Sequence, residues 1–218
     1  MTDRPRQLRA LAVADDPGAW RTAGFAVDGE GRVRLGATTL LLGGTGRGVT
    51  GWALDGVAAA VDGIAVPDGF EVPPATTGPV GAHPNGITAI DHVVVATDDA
   101  TRTVGALEAA GLELRRTREL GGGATQSFLW AGDVILEVVS PPPGGAGPGG
   151  TRGTAGAWIW GLSLVAPDLD ATAAVLGDLL GAPRPAVQAG RRIATLRTRE
   201  AGISLPIAVM SPHHSTFS

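Results

Sequence analysis

The sequence predicts an α+β fold built from repeats of one β-α-β-β-β module. A central segment, residues 88–141, passes from an apolar β-branched run to a segment of helical period and then to three strand-like runs. Residues 157–218 repeat this order, and residues 1–57 read as a shortened copy. The chain has 34 Gly and 16 Pro among its 218 residues, which supplies the turns that such short elements need.

The N-terminal copy begins with a strand-like run at 8–14. A brief helix is expected at 15–24, where Gly24 ends it, and two or three strands follow over 25–44. The run at 48–57 is expected to add the last strand of this copy. Residues 58–87, rich in proline, are interpreted as a linker.

The central module has the clearest pattern. It opens at 90–96 with a run that is too short and too rich in Val for a helix. A helix is predicted at 101–110, because apolar residues recur there at helical spacing, the Thr97-Asp98-Asp99 run supplies a cap and Gly111 a stop. Glycine-containing breakers separate three further strands, predicted at 112–120, 126–131 and 134–139.

The third module follows residues 142–156, whose Gly and Pro content predicts a mobile loop. Its first strand is expected within 158–168. A helix is predicted at 169–181, capped by Asp168 and stopped by Gly181. Two last strands are predicted in 191–198 and 203–212.

Alternation along the strands decides which polar side chains share a face. In the first central strand Val93 is expected to pack against the helix, which leaves His92 on the opposite face. In the last central strand Leu136 packs under the helix, which leaves Glu137 on that same helix-free face. An imidazole beside a carboxylate suits a divalent metal ion or proton transfer.

The DHVVVAT opening, the VILEVV close and the order of the elements resemble the vicinal oxygen chelate superfamily, which includes glyoxalases, extradiol dioxygenases and bleomycin-resistance proteins. The resemblance implies that two modules pair into a cup-shaped mixed sheet with the helices outside. It also implies a divalent metal ion, of open identity, with ligands from the first and last strands of a module. His92 and Glu137 stand at those positions.

The other two copies lack these ligands. Ala10 stands at the His92 position of the N-terminal copy, which we interpret as a structural repeat. Alignment of the strand ends puts Leu162 at the His92 position of the third module and Ala208 at the Glu137 position. Further ligands would have to come from other groups, and the candidates are His83, His213, His214, Gln126 and a second subunit.

Several side chains are candidates for binding a substrate. Arg116, which shares a strand face with Arg118, could clamp a carboxylate or an enolate. Tryptophans near the cup could wall a ligand pocket. Arg191 and Arg192 are interpreted as a turn that leads into a strand. The predicted substrate-binding residues are Arg116, Gln126, Trp130 and Trp160, with Trp158 as a further wall residue.

Composition narrows the chemistry. All 17 basic residues are Arg, so no Lys is present for a Schiff base, and the absence of Cys excludes a thiolate nucleophile. The formal net charge is −4, which gives no support for binding nucleic acid or an anionic membrane. We expect a cytoplasmic protein that binds a small molecule, with a homodimer as one possible assembly.

Two functions are consistent with these features. The first is a glyoxalase-like lyase, isomerase or oxygenase, in which His92 and Glu137 hold a divalent metal ion that polarises an oxygen-bearing substrate while a carboxylate moves a proton. The second is a metal-free protein of the bleomycin-resistance type that sequesters a small molecule in an apolar cup. The His92 and Glu137 pair favours the enzyme, whereas the small number of ligands favours the binding protein.

Overall fold

The computed structural model of the chain describes residues 6–67, 82–142 and 156–213. Their strands form a four-stranded sheet in the N-terminal part and an eight-stranded sheet in the rest. No helix among the described residues is long and apolar enough to cross a bilayer. The predicted linker at 58–87 and the predicted loop at 142–156 fall partly or largely outside the described residues.

The N-terminal sheet has the strand order β2-β3-β1-β4. Strand β3 lies parallel to β1, and β4 lies antiparallel on the other edge of β1. The run at 48–57 does form the last strand of this copy, as expected, and it lies beside β1 in the antiparallel direction. The β2–β3 hairpin turns at Gly36, whose φ is 62°. The chain thus places β3 beside β1 before it forms β4. The elements are β1 (Leu8–Val13), α1 (Pro17–Thr22), β2 (Arg32–Leu35), β3 (Thr38–Leu41) and β4 (Val49–Leu54).

The central module forms the first half of the eight-stranded sheet. Its helix begins after Asp99, whose carboxylate accepts a hydrogen bond from the backbone N–H of Arg102. The strand bounds differ from the predicted ones by at most one residue at either end. The elements are β5 (Ala89–Ala96), α2 (Ala100–Ala109), β6 (Glu113–Glu119), β7 (Thr125–Ala131) and β8 (Val134–Ser140).

The third module forms the second half. Asp168 caps its helix as predicted, but the helix ends at Leu176 rather than at Gly181, because Gly177 takes a φ of 51° and one 3-10 turn follows. A short helix that the sequence pattern did not indicate lies between the last two strands. The elements are β9 (Trp158–Val165), α3 (Leu169–Leu176), β10 (Arg184–Pro185), β11 (Arg192–Leu196), α4 (Thr198–Ala201) and β12 (Ile207–Met210).

The two halves join through their first strands. The strand order is β10-β11-β12-β9-β5-β8-β7-β6, with β5 antiparallel to β9. Within each half the first strand is parallel to the last, β5 to β8 and β9 to β12. The predicted α+β fold, two βαβββ modules paired in one open mixed sheet, is confirmed.

The helix-covered face of the first half holds the core. Val93, Val95, Leu136 and Val138 are fully buried, together with Leu107 of α2. Burying side chains of this size stabilises the fold by about 1.5–3 kcal/mol each. Because these residues alternate with His92 and Glu137, the packing of the core fixes the opposite face as the place for polar chemistry.

The N-terminal sheet packs beside the second half of the cup. The backbone N–H of Gly48 donates to Ser204 Oγ at 2.7 Å, and the backbone N–H of Ser204 donates to Asp15 Oδ1 at 3.0 Å. The N–H of Gly36 donates to the carbonyl of Thr88 at 2.9 Å. The first two bonds join the N-terminal part to the second half of the cup, and the third joins it to the residue before β5 in the first half.

Candidate functional site

His92 and Glu137 meet on the helix-free face. Val94 is paired with Glu137 in the parallel β5–β8 register, so His92, two residues before Val94, points to the same side as the carboxylate. The distance from His92 Nε2 to Glu137 Oε2 is 3.1 Å, and the two side chains are 16% and 14% exposed. The first and last strands of the central module therefore bring an imidazole and a carboxylate into direct contact.

A buried ion pair between Asp91 and Arg191 contacts the imidazole of His92 at Nδ1. His92 Nδ1 lies 2.8 Å from Asp91 Oδ2, and Arg191 donates to both oxygens of Asp91, at 2.6 and 3.2 Å. Burial alone would raise the pKa of Asp91, but the hydrogen bonds from His92 and Arg191 outweigh it and lower that pKa to about 2. Asp91 is thus an ionised acceptor that fixes the orientation of the imidazole ring.

Sequence reasoning missed this support. Neighbouring residues in a regular strand point to opposite faces, so Asp91 was not expected to reach His92. The β5–β9 pairing is irregular between Ile90 and His92, and this irregularity brings the two side chains together. Arg191 was expected in a turn, and its N–H does close a turn onto Gln188, yet its side chain is only 1% exposed and points inward.

Gln126 lies on the other side of the carboxylate. Its Nε2 donates to Glu137 Oε1 at 2.5 Å, from the neighbouring strand β7. Gln126 was a candidate both for binding substrate and for a further metal ligand. Among the candidates for a further ligand within the described residues, it is the one that touches the His92–Glu137 pair.

The histidine candidates lie elsewhere. His83 is neither at the cup nor on the surface: its Nδ1 accepts from the backbone N–H of Ala26 and its Nε2 lies 2.8 Å from the carbonyl of Arg34. Burial lowers the pKa of His83, although the bond to Arg34 opposes the shift. His213 Nε2 lies 2.9 Å from Arg191 Nη1. His214 is outside the described residues.

The structure shows that the sequence alignment of the third module was wrong at the His92 position. Leu162 pairs with Val93 and therefore faces the helices, so it does not occupy the His92 position. Matching the caps Asp99 and Asp168 instead places Gly161 there. The slip of one residue arises because the cap Asp168 follows Ala166 by two residues, whereas the cap Asp99 follows Ala96 by three.

The place of Ala208 agrees with its prediction. It pairs with Ser163 on β9 as Glu137 pairs with Val94 on β5, and it lines the same cleft as Glu137. Its methyl group offers no donor atom. With Gly161 at the other position, the second half supplies no metal ligand at either matching place.

Ser163 is a polar group that the sequence did not single out. It pairs directly with His92 across the β5–β9 seam and lines the cleft. Its hydroxyl oxygen is buried and has no hydrogen-bond partner among the described residues. A buried hydroxyl without a partner is costly, so the cleft next to His92 favours a bound polar atom.

Two connected clefts surround His92. The larger, of about 510 Å³, is lined by Gln126, Glu137 and Trp160, with apolar walls from both halves. The other, of about 330 Å³, is lined by Arg116 and Trp130. Thus all four predicted substrate-binding residues border a cleft that contains His92.

The other candidate side chains are arginines and a tryptophan, and each has a contact or a location of its own. The guanidinium groups of Arg116 and Arg118 lie 5.3 and 5.8 Å from the ring centroid of Phe128, so both arginines share one face, as alternation indicated. Trp158 lies away from His92 and lines a separate cleft beside the N-terminal sheet. Arg192 forms an exposed ion pair with Asp170.

The donors at the pair fit part of a divalent metal site. Two neighbouring ligands with bonds of about 2.1 Å at a right angle lie about 3.0 Å apart, close to the distance between His92 Nε2 and Glu137 Oε2. Gln126 contacts Glu137 through its amide nitrogen, and its amide oxygen is of a donor type that a divalent ion accepts. Asp91 stands where a carboxylate orients a ligating histidine. No group of three or more His, Asp or Glu side chains within the described residues is arranged around a metal position. The site therefore suits an open, modest-affinity ion.

No family model and no curated protein matches the sequence. Solved structures match at low identity. Methylmalonyl-CoA epimerase from Mycobacterium tuberculosis is 19% identical, with 59% of this chain and 90% of the epimerase covered and a TM-score of 0.44. A hypothetical protein from Bacillus halodurans is 14% identical, with 59% and 97% covered and a TM-score of 0.43. A methylmalonyl-CoA epimerase variant from Streptomyces coelicolor, bound to 2-nitronate-propionyl-CoA, is 23% identical, with 57% and 97% covered and a TM-score of 0.40.

Proposed function

We propose that the chain is a small-molecule enzyme of the isomerase or lyase type, whose reacting centre is the His92–Glu137 pair. The observation that carries this proposal is the 3.1 Å contact between His92 Nε2 and Glu137 Oε2 inside the cleft. The pair is held from behind by Asp91 and Arg191. Such a fixed imidazole and carboxylate in a cleft is an arrangement for acid–base chemistry or metal binding.

The hydrogen-bond requirements of His92 point to a cation at the pair. When Nδ1 donates its proton to Asp91, a neutral ring has only a lone pair at Nε2. A lone pair facing the carboxylate of Glu137 would be repelled, so a proton or a metal ion has to lie between the two groups. Either state prepares the pair to act on an oxygen atom of a bound substrate.

Each neighbouring residue has a definite part in this chemistry. Asp91 keeps the ring oriented with Nε2 toward the cleft, and Gln126 holds one oxygen of Glu137. His92 or Glu137 can give or accept a proton at the substrate carbon or oxygen. A divalent ion held by the same pair would polarise the substrate oxygen. Arg116 stands at the edge of the neighbouring cleft, where a negatively charged substrate group can bind.

The first experiment measures metal uptake. The protein is purified without chelator, loaded in turn with Mn²⁺, Fe²⁺, Ni²⁺ and Zn²⁺, and its metal content is measured by mass spectrometry. Wild type should take up close to one equivalent of at least one ion, whereas His92→Ala and Glu137→Gln should take up none. Glu119→Gln is the matched control, because Glu119 is an exposed carboxylate on the same sheet, at its edge. Equal uptake by all four proteins would refute the site.

The second experiment tests proton transfer. The loaded protein is incubated in D₂O with 2-oxo acids and 2-hydroxy ketones, and deuterium incorporation next to the carbonyl is followed by NMR. Incorporation that depends on both His92 and Glu137 supports the enzyme. Incorporation that survives both substitutions contradicts it.

A metal-free binding protein is the second candidate. The observation that favours it is the second half of the cup, where Gly161 and Ala208 stand at the ligand positions. Val94, Val139 and Ile193 give the same cleft apolar walls. Binding of an apolar molecule by wild type and by His92→Ala with equal affinity, and without metal, would favour sequestration over catalysis. Assembly as a homodimer and a cytoplasmic location stay predictions for either function.

A further inference from the structure

A second cleft lies between the N-terminal sheet and the second half of the cup. Its volume is about 480 Å³, and it is separate from the two clefts around His92. Residues from the β3–β4 loop form one wall, and residues from β9 and from the segment around α4 form the other. The residues that matter here are Arg47, Trp158, Trp160, Arg199 and Pro206.

The charge of this cleft differs from that of the whole chain. The chain has a formal net charge of −4, yet none of the described residues that line the cleft is Asp or Glu. Arg47 and Arg199 both line it, and neither has an ion pair within the described residues. Arg102, Arg191 and Arg192, by contrast, are each paired with a carboxylate. Two arginines without a carboxylate on one cleft favour a ligand with several negatively charged oxygens.

The aromatic side chains supply a second part of the recognition. Trp158 and Trp160 are half-buried and line the same cleft as the two arginines. An indole face offers a stacking surface for a planar ring. The combination of guanidinium groups and indole rings fits a planar aromatic group that carries phosphate.

The cleft shares two lining residues with the larger cleft that contains the reacting pair. Trp160 and Pro206 line both this cleft and the larger cleft that contains His92 and Glu137. The two clefts therefore adjoin at Trp160 and Pro206. We propose that this cleft binds the phosphate-bearing aromatic end of the substrate whose other end reacts at His92 and Glu137. For the reacting end of the substrate, this inference rests on the proposed function. The binding of the phosphate-bearing end does not depend on it.

The test uses ADP as the probe and the full chain as the protein. Binding is followed by tryptophan fluorescence and calorimetry, with adenosine and inorganic pyrophosphate as partial probes. ADP should bind more tightly than either, because it presents both the ring and the charge, and its affinity should fall as salt is added. Arg47→Ala and Arg199→Ala should each weaken ADP binding about tenfold. Trp158→Phe should remove a large part of the fluorescence change.

Arg184→Ala is the matched control, because Arg184 is an exposed arginine of the same half with no ion pair within the described residues and lies outside the cleft. Its ADP affinity should equal that of wild type. Absence of saturable ADP binding, or an equal loss in Arg184→Ala, would overturn the proposal. His92→Ala should bind ADP normally, and a loss there would also overturn it by placing the probe in the cup. Normal ADP binding by a protein that shows neither metal uptake nor proton transfer at His92 and Glu137 would leave this site standing while the proposed function fails.

Discussion

Arg191 in the second half of the cup donates two hydrogen bonds to Asp91 in the first half, at 2.6 and 3.2 Å, where the two side chains are 1% and 6% exposed. The guanidinium also donates to the carbonyl of Ser211 at 2.9 Å. One arginine thus joins the two modules, holds the C-terminal segment and fixes the acceptor that orients His92. The geometry of the reacting centre depends on residues from both halves, although both reacting side chains come from one.

We predict that Arg191→Ala lowers the free energy of unfolding by about 3–5 kcal/mol, because it leaves the Asp91 carboxylate buried without its partner. Urea denaturation measures the change. The double variant Asp91→Leu with Arg191→Met should lose much less, since no charge is then buried alone. Arg192→Ala breaks an exposed pair with Asp170 and should leave stability near the wild-type value. A double variant as unstable as Arg191→Ala would contradict the electrostatic explanation.

The fold was largely predictable because its elements are short and strongly patterned. The alternation of Val93 and Val95 with His92 placed the imidazole on the correct face, and the caps Asp99 and Asp168 marked both helices. The site was predictable only where strands are regular. The irregularity beside Asp91 shifts which side chains share a face, and alternation alone gives no sign of it.

Long-range contacts account for the other differences. Arg191 meets Asp91 across 100 residues of sequence, and no local pattern reports such a pairing. His83 binds the backbone of the N-terminal sheet at Ala26 and Arg34, which its position before Pro84 does not indicate. In the third module, aligning the helix caps instead of the strand ends would have placed Gly161, not Leu162, at the His92 position.

A substitution at Gln126 distinguishes whether a metal ion or a proton lies between His92 and Glu137. With a metal ion as the cation, Gln126→Glu adds a charged ligand next to Glu137 and should raise metal affinity by tenfold or more, on the order of 1.4 kcal/mol. With a proton as the cation, the same substitution only places a second carboxylate beside Glu137 and should give no metal uptake. Metal titration followed by calorimetry measures the difference, with Gln126→Ala as the control that removes the amide. Equal metal affinity in wild type, Gln126→Glu and Gln126→Ala would exclude Gln126 as a donor.

His83 should make the stability of the protein depend on pH. Burial lowers the pKa of His83 below its ordinary value of 6.5, so the unfolded chain takes up a proton at a higher pH than the folded chain. The contribution of His83 is therefore complete above pH 6.5 and is lost as the pH falls below it. Urea denaturation between pH 5 and pH 8 should show this decrease, and His83→Gln, although less stable at pH 8, should show a smaller one. An identical slope in both proteins would assign the effect to other groups.

Gly161 and Ala208 stand at the two positions of the second half that match His92 and Glu137. A larger side chain should change the stability of the protein differently at each. At Gly161 a Cβ atom would lie 2.8 Å from the carbonyl oxygen of Pro206, which is backbone and cannot move away freely. We therefore expect Gly161→Ala to lower the free energy of unfolding by about 1–3 kcal/mol, and Gly161→His to lower it further without adding a ligand. Ala208 lines the cleft with Glu137, is partly exposed, and has open space before it.

Ala208→Glu should accordingly fold with nearly wild-type stability and add a carboxylate from the second half to the pair in the first. Metal affinity should rise by tenfold or more, while Ala208→Gln, which adds the same volume without charge, should gain far less. Calorimetric titration with Mn²⁺ or Zn²⁺ measures both variants against wild type. If Ala208→Glu gained no affinity, the second half of the cup would lie too far from His92 and Glu137 to share an ion with them. The chain would then be limited to the donors of its central module, and the metal-free binding function would become the better explanation of the cup.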